Sequence, residues 1–338
     1  MKYKSLFIVV LFACLSTSLL VFSGAGSSGA MYGLKLCYNV VIPSLFPFTV
    51  FSLIIFECGF FEKLKLRFGS KNNFEEISVF LLSCIGGFPV GAKLINNLYK
   101  RKGINKKNAE LMLGYCVSSG PSFIILSVGS QILNNILIGY VLFVANLLSN
   151  LIILVVVQKF KTNDIIINTE KTPNKNFAEI FVNSTYDAVL AMLNICAYVV
   201  LFSTIINVIN SIFENSIFKT VLLSLLEITN GVSLNTNIYS IAFLLGFGGL
   251  CVHLQIISMC KDIKPKYSNF FFFRIIHGFL LFILTKIIIA VFGINVSALS
   301  GALNATYKFS EISTVFGLCL IALSVAFIIS VNRKINNF

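Results

Sequence analysis

Uncharged apolar runs, each about as long as a bilayer is thick, constrain this chain more than any other feature of its sequence. Residues 5–23, 36–56, 188–213 and 312–332 contain no charged side chain, and residues 111–158 form one uncharged stretch. A helix needs roughly 20 apolar residues to cross the hydrocarbon core, so the first four runs fit one crossing each and the last fits two. Backbone polar groups have no water to bond in lipid and must be satisfied internally. Strands of an outer-membrane barrel would alternate apolar and polar residues, and these runs do not. The expected fold is an all-α polytopic membrane protein of about eight transmembrane helices.

Charge then orders the runs. Lys and Arg number 26 against 13 Asp and Glu, a net charge of +13. In a membrane chain such an excess collects in cytoplasmic loops, which removes the reason to expect a nucleic-acid partner. With the N-terminus cytoplasmic, the first helix leads out and residues 36–61 lead back. Lys63, Lys65, Arg67 and Lys71 then precede residues 77–92, and Lys100, Arg101, Lys102, Lys106 and Lys107 follow them. A full crossing would put one of these two basic clusters outside, so residues 77–92 read as a re-entrant hairpin. Residues 111–131 then cross outward and residues 132–158 return. Residues 188–213 cross outward, residues 220–234 dip in from outside, and residues 237–260 return to Lys261, Lys264 and Lys266. Residues 271–292 and 312–331 form a last pair, which makes both termini cytoplasmic. The N-terminal run, preceded by Lys2 and Lys4 and followed by SGAGSSGA, resembles a signal peptide. It is long for one, and an uncleaved helix is the preferred reading.

The hairpin reading depends on the stretch SCIGGFPVGAKL, residues 83–94, where Gly86, Gly87, Pro89 and Gly91 interrupt the helix. Glycine loosens a helix and proline removes a backbone donor. LGFGGLCVHLQI, residues 245–256, aligns with it without gaps, Gly86 on Gly248 and Gly87 on Gly249. VFSLI at 50–54 echoes LFSTI at 201–205. Together these suggest an internal two-fold repeat: an N-terminal helix in residues 1–35, a first half at 36–160, a polar linker at 161–183 and a second half at 184–338. Further breaks are expected at Pro43 and Pro47, at Ser118-Ser119-Gly120-Pro121, and at Gly231. Broken helices at bilayer depth persist only where they line a watery cavity or are buried in protein, and secondary transporters build their binding sites from them.

The polar residues beside these breaks are the candidates for a substrate path. Glu227, in LLEITNG with Thr229, is a carboxylate in an apolar stretch, a residue that membranes tolerate mainly facing protein or water. It reads as a proton, cation or substrate acceptor, or as an interfacial residue at a helix end. Lys93 either meets an anionic substrate, pairs with Glu227, or snorkels to the interface. His253 and Gln255 follow the second glycine pair two apart, on different sides of a helix, and a bridge between helices is the leading reading for them. Ser118 and Ser119 either satisfy freed backbone or contact a ligand. Asn146, Asn150 and Asn194 read as links between helices. The nine cysteines form no CxxC pair and read as small buried apolar residues. No nucleophile elbow, P-loop or metal-ligand cluster is legible, so neither an enzyme nor a metal or cofactor is expected.

In order, IPSLFPFTVFSLI, GGFPVGAKL, NKKNAELMLGYCVSSGPSFII, LLEITNG and GFGGLCVHLQI resemble the YlbJ-type sporulation integral membrane proteins, over about residues 36–260. GFP stands where that family more often reads GYP, and LKLRFGSKN stands where it carries a proline-rich stretch. The resemblance implies membership of the Gate, or nucleoside-recognition, superfamily. It also implies a role in endospore formation, in particular spore cortex and coat maturation. The combined expectation is a transporter-like protein in the lipid bilayer, moving a small solute or ion and open to homo-oligomerisation. A non-transporting scaffold of a sporulation complex is the alternative.

Overall fold

The structure is a computed structural model. It describes residues 2–59, 74–162, 176–235 and 237–293, all within one compact unit spanning residues 1–301. The first cytoplasmic cluster, most of the polar linker and the last expected crossing lie outside the described residues. No strand occurs among those described. α1 (Lys2–Val21) bends at Phe22 into α2 (Ser23–Leu36), and a π-helical turn (Cys37–Val41) continues into α3 (Ile42–Glu57). α4 (Phe74–Gly86), α5 (Phe88–Lys100) and α6 (Lys106–Cys116) follow. A π-helical segment (Ser122–Ile132) and α7 (Ile136–Gln158) complete the first half. The second half holds α8 (Phe177–Ile212), α9 (Ile217–Leu226), α10 (Ile228–Leu234), α11 (Ile238–Phe247), α12 (Gly249–Met259) and α13 (Tyr267–Phe292).

Five helical spans are long and apolar enough to cross a membrane: Ser23–Glu57, Ile136–Gln158, Phe177–Ile212, Ile238–Met259 and Tyr267–Phe292. Their outward faces carry leucine, valine and phenylalanine, as lipid contact requires. This is a multi-pass α-helical membrane protein.

One sequence expectation changes here. Pro43 and Pro47 do not interrupt their helix. Pro43 sits in the first turn of α3, where no backbone donor is needed, and Pro47 lies within it. Just upstream the helix widens into the π register, where the Ile42 N–H reaches Cys37 O. The small-residue stretch SGAGSSGA, between the first two expected crossings, is itself helix. Its glycines form a seam against α8: a Cβ on Gly29 would stand 2.7 Å from Ser203 O, and one on Gly33 2.8 Å from Val200 Cα. Small residues let helix backbones approach where lipid supplies no hydrophobic drive to pack them.

Polar contacts gather many helix ends on one side of the bundle. Arg101 pairs with Glu57 and Lys161 with Glu76. Asn105 and Asn108 bond Thr162, Asn96 Nδ2 bonds Asp262 at 2.7 Å, and the Lys266 N–H bonds Glu110 at 3.3 Å. The end of α3, the start of α4, the end of α5, the start of α6 and the end of α7 therefore share that side. Because α4 begins and α5 ends there, the pair is a hairpin.

Candidate functional site

Each half of the protein contains a helical hairpin whose tip packs on a broken helix. At the first tip Gly87 takes φ +78°, and a Cβ there would stand 2.8 Å from the Gly120 nitrogen. Gly120 lies in the unwound stretch 117–120 between α6 and the π-helical segment. The second tip is Glu227, where α9 turns back into α10. A Cβ on Gly249 would meet the Ile228 nitrogen at 3.2 Å, so this tip rests on the break between α11 and α12. That break runs through Gly248 and Gly249, at φ +88° and +72°, a backbone region that other residues adopt only with strain. Glycine also lets the arms pack closely. A Cβ on Gly91 would lie 1.9 Å from Cys116 O at the end of α6 and 3.2 Å from the Ser83 Cβ across the first hairpin, and one on Gly231 2.7 Å from Ser224 O across the second. Gly231 thus lies inside α10, and the interruption falls at Glu227.

Glu227 is 1% exposed. Its carboxylate caps α10: Oε1 accepts from the Thr229 N–H at 3.0 Å, and Oε2 from the Asn230 N–H and Asn230 Nδ2, both at 2.8 Å. Backbone N–H groups at a helix start favour negative charge, so the fold holds a buried carboxylate without an ion pair among the described residues. Beside it is a narrow cavity of about 40 Å³, whose walls include Phe88, Pro89, Gly120, Glu227, Thr229 and Gln255. The two tips and the first break therefore meet at one cavity, mainly apolar, with the Glu227 carboxylate, Thr229 and Gln255 as its polar wall. A wider cavity of about 680 Å³ lies between α2 and α8, lined by Ser27, Ser28, Lys35, Asn207, Asn210 and Asn230 among others. The Asn230 side chain, bonded to Glu227, connects the two.

The unwound backbone has dedicated partners. On α7, Asn146 Nδ2 donates to Ser119 O at 3.1 Å and Asn150 Nδ2 to Ser118 Oγ at 2.8 Å. Ser119 Oγ reaches Leu245 O, at the second break, at 3.4 Å. His253 Nε2 bonds Phe247 O at 2.9 Å, and its ring packs among Phe247, Phe270 and Phe271. Arg274, fully buried on α13, bonds the carbonyls of Val117 and Gly246 and the ring of His277.

The expected path residues thus divide. Gly86, Gly87, Pro89 and Gly91 form the first tip, Ser118, Ser119, Gly120 and Pro121 the first break, Glu227, Thr229 and Gly231 the second tip, and Gly248 and Gly249 the second break. Of the two residues after the second glycine pair, Gln255 lines the Glu227 cavity and His253 bridges helices. Lys93 pairs with Asp187 on α8 at 3.2 Å, not with Glu227. Asn194 links α8 to Ser258 at 2.7 Å. Arg274, His277 and Asn230 have no place in the sequence reading. FFFFRIIHGF, an arginine and a histidine in an apolar run, is the visible signal for the first two. Among the described residues no group of three or more His, Cys, Asp or Glu could hold a metal ion.

No protein-family model and no solved structure matches the chain. The sporulation integral membrane protein YlbJ of Bacillus subtilis (strain 168) is 23% identical to it, over 82% of this chain and 81% of that protein. The chain is therefore similar, over most of its length, to the YlbJ-type proteins that its motifs resemble.

Proposed function

We propose that this chain is a sporulation membrane protein that moves a small solute or ion along a polar path centred on Glu227. The observation that carries the reading is a buried carboxylate, held by a helix N-terminus, at the meeting point of two hairpin tips and a broken helix. A buried charge in a membrane protein is costly and marks an ion or substrate route by default. The cavity between α2 and α8 supplies an entrance, with Asn230 joining it to Glu227. Basic residues crowd the side where α5, α7 and α12 end, which makes that side cytoplasmic and the larger cavity an outward vestibule. With Lys2 and Lys4 at one terminus and Arg333 and Lys334 near the other, both termini fall on the cytoplasmic side.

We also infer an internal repeat, in a register set by element order. A helix of 35 residues, Ser23–Glu57, precedes a hairpin, a broken pair and a helix of 23 residues. A helix of 36 residues, Phe177–Ile212, precedes a hairpin, a broken pair and a helix of 26 residues. In this register the Gly87 tip corresponds to Glu227, and the 117–120 break to Gly248. Two halves of this kind provide bodies that rock about a fixed site.

The test is uptake into liposomes by the purified protein, screened over nucleosides, divalent cations and dipicolinate-like anions. Transport predicts accumulation of one class, reduced in Glu227→Gln while insertion and abundance stay normal. A Glu227→Gln protein that supports sporulation fully would leave the scaffold reading standing. Glu227→Gln is a better probe than Gly87→Ala, since the positive φ at Gly87 makes any side chain there a folding defect.

A further inference from the structure

Two half-helices end facing Arg274. α6 stops at Cys116, and the Val117 carbonyl beyond it has lost its helical partner, because the residue four further on is Pro121, which has no N–H. α11 stops where Gly248 turns left-handed, and the Gly246 carbonyl falls in its last turn, where carbonyls lack intrahelical donors. Both termini carry the negative end of a helix dipole. Convergent carbonyls at half-helix C-termini are the coordination chemistry by which broken-helix transporters hold a coupling cation. Here the position is filled from within. Arg274 Nε donates to Gly246 O at 3.1 Å, one terminal nitrogen donates to Val117 O, and the other to Gly246 O and to His277 Nδ1. An arginine only donates, so His277 accepts at Nδ1 and carries its proton on Nε2. None of the ion pairs among the described residues involves Arg274.

We propose that Arg274 is a tethered cation occupying a cation site built by both breaks, and that it positions them relative to each other without any bound metal ion. A planar guanidinium suits the task, since its fixed fork of donors reaches two carbonyls and an imidazole at once. Removing it would leave a vacant site selective for small planar cations. The proposal does not depend on transport.

The experiment follows thermal unfolding of the full-length protein in detergent. Arg274→Ala should lower the midpoint, and millimolar methylguanidinium should restore it, with sodium and potassium far less effective. The wild type should be indifferent to exchange of sodium, potassium and choline at fixed ionic strength. Failure of methylguanidinium to rescue a folded alanine variant overturns the proposal, as does a sodium or potassium requirement in the wild type. If Arg274→Ala cannot be recovered folded, Arg274→Lys and Arg274→Met decide. Lysine retained above methionine supports the tethered charge, and methionine equal to or above lysine overturns it.

Discussion

Glu227 and Arg274 are buried charges with no opposite charge in contact among the described residues, and both are satisfied by helix ends. The carboxylate takes N–H groups at the start of α10, and the guanidinium takes carbonyls at the ends of α6 and α11. Dipole ends of this kind stabilise a charge by about 0.3–1 kcal/mol at a surface and by up to about 2 in favourable, partly buried geometries. At the same scale, glycines divide by what surrounds them. Gly91 has no room for a methyl, whereas a Cβ on Gly24 would have nothing within 4 Å. Gly91→Ala should therefore destabilise the protein by about 1–3 kcal/mol, as overpacking does. Gly24→Ala should be neutral or slightly stabilising, because alanine is the better helix former. Unfolding midpoints in one detergent compare the two directly, and equal losses would contradict the packing assigned to the first hairpin.

Elements broken in mid-membrane need neighbours that accept the loose ends, and α7 does this for the first break. Asn146→Ala and Asn150→Ala should each cost about 0.6 kcal/mol and at most about 1.7, the average and the maximum found for hydrogen bonds between membrane helices by double-mutant cycles. A double-mutant cycle with Ser118→Ala should show coupling for Asn150 and additivity for Asn146, because only Asn150 bonds the Ser118 hydroxyl. The seam of α2 on α8 gives the converse case. Gly29→Leu or Gly33→Leu should separate the two helices and lower yield and midpoint sharply, while Gly24→Leu on the same helix should not. Breaks at Gly87, at 117–120 and at Gly248 are legible in the sequence because glycine and proline act locally on φ and on backbone donors. Pro43 and Pro47 mislead for the same reason: the local rule does not register that a long helix can run on through a missing donor. The sequence reading expects a break at Gly231, yet the interruption falls at Glu227. Gly231 acts by close approach to Ser224, a contact that spacing along the chain does not reveal. Arg274 is visible in FFFFRIIHGF, but its meaning requires knowing which freed carbonyls face it.

At the scale of the whole molecule, the hairpin between the two basic clusters follows from charge, because a full crossing would split them, together with the GGFPVG break that lets the chain turn back. The contacts that tie Glu57 to Arg101 and Glu76 to Lys161 put the matching helix ends on one side, which is the same conclusion reached through geometry. The register of the repeat we propose does not follow from matching glycines: Gly86 and Gly248 share a residue type, yet one lies beside a hairpin tip and the other separates α11 from α12. Order of long, reversed and broken helices carries that information, and only three-dimensional contacts distinguish a reversal from a break. The arrangement of ends leads to a definite labelling pattern. In a cysteine-free background, single cysteines at Gly103, Phe160 and Lys264 follow α5, α7 and α12 and should react together from the cytoplasmic side. Cysteines at Asn134, Asn215 and Gly293 precede α7, precede α9 and follow α13, and should react only from outside. A membrane-impermeant maleimide applied to intact cells, then to inverted vesicles, separates the groups. Opposite accessibility for a retained native Cys58, which follows α3, and Gly103→Cys would remove the first hairpin, and with it the meeting of tips on which the Glu227 path depends.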